Sequence, residues 1–106
     1  MASMDKEYTL SYLPQFEHDL AAARDYIIFT LQNPEAALRL VEDAERAILK
    51  RLENPLSCQP YPSKRKREHP YYRINVRNFS VFYVVIGNVM EVRRFVYSKR
   101  NLPEIL

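Results

Sequence analysis

Two tight connections set in a run of aromatic and β-branched residues constrain this chain more than anything else in it. Gly87-Asn88 separates Phe79–Ile86 from Val89–Val96, both rich in strand formers. A two-residue hairpin turn needs a positive φ angle, which glycine supplies at no steric cost. Upstream, Arg77-Asn78 leaves equally little room between Tyr71–Val76 and Phe79. The stretch is therefore expected to form a three-strand antiparallel meander. Alternation puts Tyr71, Arg73, Asn75 and Arg77 on one face of its first strand, and Tyr72, Ile74 and Val76 on the other. The second set is apolar and needs a cover.

The first half of the chain supplies that cover. Lys6 to Tyr12 reads as a strand. Pro14 then suits a first helical position, where a missing N–H costs nothing. Leu13, Phe16, Leu20, Ala23, Ile27 and Leu31 recur at three- and four-residue steps, one apolar helix face ending near Gln32. A second helix begins with Asn33 as N-cap, Pro34 at the first position and Glu35 in the first turn. Its stripe is Ala37, Val41, Ala44, Ile48 and Leu52, widened by Leu40 and Ala47, and it ends before Pro55. So short a link implies an antiparallel helix hairpin. The expected fold is α+β: N-terminal strand, helix hairpin, three-strand antiparallel meander. The helices lie on one sheet face and the other is left open and basic. One domain is expected over residues 1–106, with residues 1–5 expected to be disordered or an artificial extension.

Composition removes whole function classes. With one glycine in 106 residues, no glycine-rich phosphate loop or dinucleotide fingerprint can be built. Cys58 is the only cysteine, and His18 and His69 lie far apart. That leaves no internal disulfide and no clustered metal ligands, and it suits a reducing cytoplasm. The longest apolar stretch, Val81 to Ile86, is far short of the roughly 20 residues of a membrane span. No cofactor is expected. Charge is split unevenly, with a net −4 over residues 1–60 and +7 over residues 61–106. A basic half of this kind points to a polyanion or an acidic protein as partner. Residues 54–70 hold four prolines and the run Lys64-Arg65-Lys66-Arg67. This run reads equally as a solvated surface or as a phosphate-contacting arm. Leu102, Ile105 and Leu106 in the tail either cover the sheet edge or pack on the core, with packing favoured, or else dock a partner.

The element order, together with the stretch Tyr72 to Val85 and the following Val92 to Asn101, resembles the RelE/ParE toxin superfamily. Its members show an aromatic–basic–hydrophobic strand, a short basic turn, an aromatic strand, and a last strand running into a basic dipeptide. The resemblance covers Tyr8 to Leu106. It implies the toxin of a bacterial type II toxin–antitoxin pair, neutralised by a cognate antitoxin. Two activities come with it: cleavage of messenger RNA on the ribosome in the RelE-like branch, and poisoning of DNA gyrase in the ParE-like branch. Arg73 matches a basic position of the RelE-like branch. Asn75 and Ser80 stand where that branch has cationic residues. Lys99 and Arg100 match the basic dipeptide. The tail holds no counterpart of a C-terminal catalytic tyrosine or histidine, so Tyr97 could stand in only by a different geometry.

Metal-free RNA cleavage needs a base for the 2′-OH, cations for the phosphorane and help for the leaving group. On the sequence, messenger-RNA cleavage comes first. Arg73, Tyr97, Lys99 and Arg100 are the candidate catalytic residues and His69 is the weak candidate base. Lys64, Arg65, Lys66, Arg67, Arg77 and Arg94 are the candidate RNA- or phosphate-binding residues. Non-enzymatic inhibition of gyrase is the alternative, and an inactive antitoxin-binding module a third.

Overall fold

The computed structural model describes residues 7–62 and 67–100. The Lys64, Arg65 and Lys66 cations, residues 1–5 and the apolar tail residues Leu102, Ile105 and Leu106 lie outside that range. Strand β1 (Thr9–Tyr12) leads into helix α1 (Pro14–Asp25), which continues as a π-helical segment (Tyr26–Thr30). Helix α2 (Pro34–Leu52) returns, and β2 (Tyr72–Val76), β3 (Phe79–Ile86) and β4 (Val89–Tyr97) follow.

The sheet order is β1-β4-β3-β2. The meander forms as expected, with Gly87 at φ 61° in the second turn. In the first turn Arg77 takes φ 54°, a region that L side chains rarely enter. β1 lies parallel to β4, Thr9 to Tyr12 opposite Val89 to Val92. A parallel neighbour requires a crossover, and the helix hairpin is that crossover.

Asn33 caps α2 as its residue type predicts: Ala36 N–H donates to Asn33 Oδ1 at 3.1 Å. An Asn33→Ala variant should lose about 1 kcal/mol of stability in a urea titration; an unchanged midpoint would show that the cap is idle. Immediately before it, Gln32 at φ 51° ends the first helix where the apolar periodicity stops.

The helix-covered core holds Phe16, Leu40, Ala44 and Ile48 from the hairpin. From the sheet come Ile74, Val76, Val81, Tyr83, Met90, Val92 and Phe95. The β2 alternation is as the sequence requires, with Ile74 and Val76 inward. β4 departs from strict alternation. Phe82 faces Arg94 while Tyr83 faces Val92, which leaves Arg93 as an extra, bulged residue. The bulge lets Val92 and Phe95, three residues apart, both reach the helices.

The second sheet face corrects the sequence reading. It is not an open basic surface. Phe82, Val84 and Val96 are buried there with Tyr71, and Tyr61 packs against them. Tyr61 N–H donates to Tyr71 O at 2.7 Å, which draws the proline-containing loop back over the sheet. The rings of Tyr61 and Tyr71 both meet Phe82 edge-on, at 5.1 and 6.2 Å. Once Phe82, Val84 and Val96 point away from the helices, water would meet a large apolar patch; the loop removes it.

Candidate functional site

The expected site residues that the structure describes are scattered rather than gathered in one place. Arg73 lies on the second face. Its Nε donates to Ser80 Oγ at 2.9 Å, and Ser80 Oγ lies 2.9 Å from Ser98 Oγ. Its guanidinium sits 5.6 Å from the Tyr61 ring centroid and 6.0 Å from that of Phe82. Ser80 is fully buried. A buried hydroxyl must be hydrogen-bonded, and here a cation and a second serine satisfy it. Ser80 stands where the resemblance would have put a cationic residue. Two guanidinium groups could not share this position without repulsion. The serine and the anchored Arg73 are thus one feature.

Around Tyr71 a second group assembles. The Arg67 guanidinium lies 4.6 Å from the Tyr71 ring centroid and that of Arg93 lies 6.0 Å from it. Arg93 Nε also donates to Glu91 Oε2 at 2.7 Å. Arg93 was not singled out in the sequence; only the bulge gives it this position.

The remaining arginines turn elsewhere. Arg77 Nε donates to Asp43 Oδ2 on α2 at 2.7 Å. That hydrogen bond and the neighbouring Arg46 hold the Asp43 carboxyl below its ordinary range. Arg94 Nε donates to Asp19 Oδ2 on α1 at 2.7 Å. Both side chains are tied to helix carboxylates rather than gathered with Arg73. His69 Nε2 lies 3.2 Å from Glu68 Oε2 in the loop before β2.

At the end of β4, Tyr97 is partly exposed, with its ring edge-on to Phe79 at 5.7 Å. Lys99 and Arg100 follow, exposed, in a turn closed by Arg100 N–H to Tyr97 O at 3.0 Å. Arg100 and Tyr97 help line a groove of about 810 Å³ between α1, the π-helical segment and the ends of β3 and β4. Tyr26 and Leu31, both more than half exposed, also line it.

Chemically, this arrangement offers exposed cations at the strand end and an apolar groove beside them. Among the described residues, the Arg73 side chain meets a hydroxyl and two rings, with neither a histidine nor a carboxylate. Among the described residues no group of three or more His, Cys, Asp or Glu side chains is placed to hold a metal, and no helix is long and apolar enough to cross a membrane.

A protein-family profile described as the ParE toxin of the type II toxin–antitoxin system parDE matches residues 10–102. No curated protein matches the sequence. Among solved structures, the chromosomal ParDE toxin–antitoxin system from P. aeruginosa contains a similar chain. The TM-score is 0.73 at 20% identity, covering 90% of this chain and 100% of that one. The E. coli DinJ-YafQ toxin–antitoxin complex gives 0.56 at 12% identity, covering 86% and 92%. YafQ from E. coli strain BL21(DE3) gives 0.53 at 14%, covering 85% and 92%. At these identities the structural likeness is one of fold.

Proposed function

Because the chain belongs to the ParE toxin family of type II toxin–antitoxin systems, we propose that it arrests growth by binding its target without cutting RNA, with DNA gyrase as that target. The observation that carries this reading is the state of Arg73. Its guanidinium is anchored to Ser80 and packed beside Tyr61 and Phe82. A phosphate-stabilising cation in a ribonuclease needs a base within reach of the same phosphate; the neighbours of Arg73 include no histidine or carboxylate, and its guanidinium is tied to a buried serine hydroxyl. His69 is beside Glu68, and the Tyr97 ring leans on Phe79. The partner that neutralises the toxin is an antitoxin, and the site of action is the cytoplasm.

Ribosome-dependent cleavage of messenger RNA is the second reading. The exposed Lys99 and Arg100 favour it, since they could meet a phosphate backbone. Pulse-labelling of new DNA and new protein in the first minutes after induction separates the two. DNA synthesis should stop first. In the same assay Tyr97→Phe and His69→Ala should inhibit growth as strongly as the parent chain. Protein synthesis stopping first, with either variant harmless, would overturn the gyrase reading in favour of cleavage.

A further inference from the structure

The hairpin of α1 and α2 carries a second groove, of about 450 Å³, lined by helical residues. From α1 it takes Glu17, Leu20, Ala21 and Arg24, and from α2 Ala37 and Leu38 among others. Positions 17, 20, 21 and 24 are spaced so that they share one face of α1. The short side chains of Ala21 and Ala37 leave room for an incoming helix. Leu38 is 60% exposed, while Leu40, Ala44 and Ile48 of the same helix fill the core. An exposed leucine beside an apolar groove is surface that the fold itself does not use.

The same face carries one charge of each sign. Glu17 and Arg24 stand two turns apart, about 10 Å along the axis. Glu17 has no ion-pair partner among the described residues. Its field reaches Tyr12, whose phenol is raised by burial first and then by Glu45 and Glu17. Arg24 Nε donates to Asp25 Oδ1 at 3.0 Å, and both side chains are about half exposed. An exposed neighbour pair of this kind contributes little, and a guanidinium has further donors to offer. Midway between the two charges lie Leu20 and Ala21, one large and one small. Under a two-fold rotation about that midpoint, Glu17 falls opposite Arg24 of a second copy, twice over, and Leu20 falls opposite its Ala21. The face is therefore complementary to itself, which is the condition for a closed, isologous pair.

We infer that this face joins two copies of the chain into a dimer. The two α1 helices lie antiparallel about an axis between Leu20 and Ala21, and Leu38 of each copy packs against the other. Two Glu17–Arg24 pairs fix the register, since a shifted register would leave both charges unmatched. A contact confined to one hairpin face is at the small end of stable interfaces, so the dissociation constant should be on the order of 10 µM. None of the residues used lines the groove that holds Tyr97 and Arg100. The inference thus goes beyond the toxin reading and does not depend on the toxin's target.

Sedimentation velocity on the full chain, over a concentration series, tests this. The parent should pass from monomer to dimer as concentration rises. Leu38→Glu changes an exposed position and should hold the chain monomeric, with an unchanged circular dichroism spectrum. Glu17→Arg and Arg24→Glu should each weaken the dimer about tenfold, because each sets two like-charge contacts across the axis. Mixed in equal amounts, those two variants should pair with each other about as tightly as the parent does with itself, since each supplies the charge that the other lacks. A parent that stays monomeric at near-millimolar concentration overturns the inference and leaves the groove to an unlike partner. So does a dimer that survives Leu38→Glu, or a mixture no tighter than its components. A dimer lost in Tyr26→Ser but kept in Leu38→Glu would sit on the groove beside the sheet instead, which also overturns it. Should Leu38→Glu fail to fold, the mixing experiment decides, because Glu17 and Arg24 are both exposed.

Discussion

Phe82→Ala should cost about 3–5 kcal/mol of folding stability, lowering Tm by on the order of 15 °C for a domain of this size. Phe82 has no exposed surface. It lies on the sheet face away from the helices, roofed by Tyr61 and Tyr71. Truncation would lose the ring's transfer free energy and leave a cavity whose walls are two aromatic rings. Those rings cannot both follow the missing side chain inward, because Tyr61 N–H is fixed to Tyr71 O. Arg73 would lose one of the two rings that flank its guanidinium. Phe82→Leu, which keeps most of the volume, should cost much less. Urea titration of both variants measures the difference. A loss below about 1 kcal/mol for Phe82→Ala would mean that this face is open to water after all.

That face shows where a sequence stops being legible. Both helices, the hairpin between them and the meander could be read directly, because each carries a local signal: the Asn33-Pro34 start, three- and four-residue apolar steps, and glycine at a positive φ angle. The cover of the second face has no local signal. Tyr61 sits among prolines and reads as a loop residue, yet it closes a core whose other members, from Tyr71 to Val96, lie 10 to 35 residues further on. Strict alternation along β4 hides the bulge at Arg93, since one extra residue exchanges the faces of everything after it. The same limit applies to the site. Arg73 could be picked out by type and position. Its partners could not, because Ser80 and Ser98 meet only after β3 and β4 have paired. Asp19 reads as one more solvated acid on a helix, yet its carboxylate accepts the Phe95 N–H of β4.

Tyr83→Phe should cost about 1–3 kcal/mol near neutral pH, although it removes one atom. The Tyr83 hydroxyl donates to Pro55 O at 2.6 Å and accepts from an Arg51 N–H at 3.0 Å. Pro55 is fully buried, so no water can replace the lost donor, and an unpaired buried carbonyl carries most of the penalty. Arg51 would keep Cys58 Sγ at 2.9 Å and Arg73 O at 3.3 Å. The loosened part would therefore be the start of the loop that later roofs Phe82. The variant also carries a pH signature. Burial raises the Tyr83 phenol far above its ordinary range, and Arg51 only partly offsets this. A raised folded-state pKa gives stability that is complete below the ordinary phenol value of about 10 and declines as pH rises above it. Phenylalanine has no proton to lose. The stability gap between the two chains should hold from pH 7 to 9 and narrow above pH 10. A gap that stayed constant to pH 11 would show that the phenol ionises as easily folded as unfolded, and the hydroxyl could not then be the buried clamp that joins α2, the loop and β3.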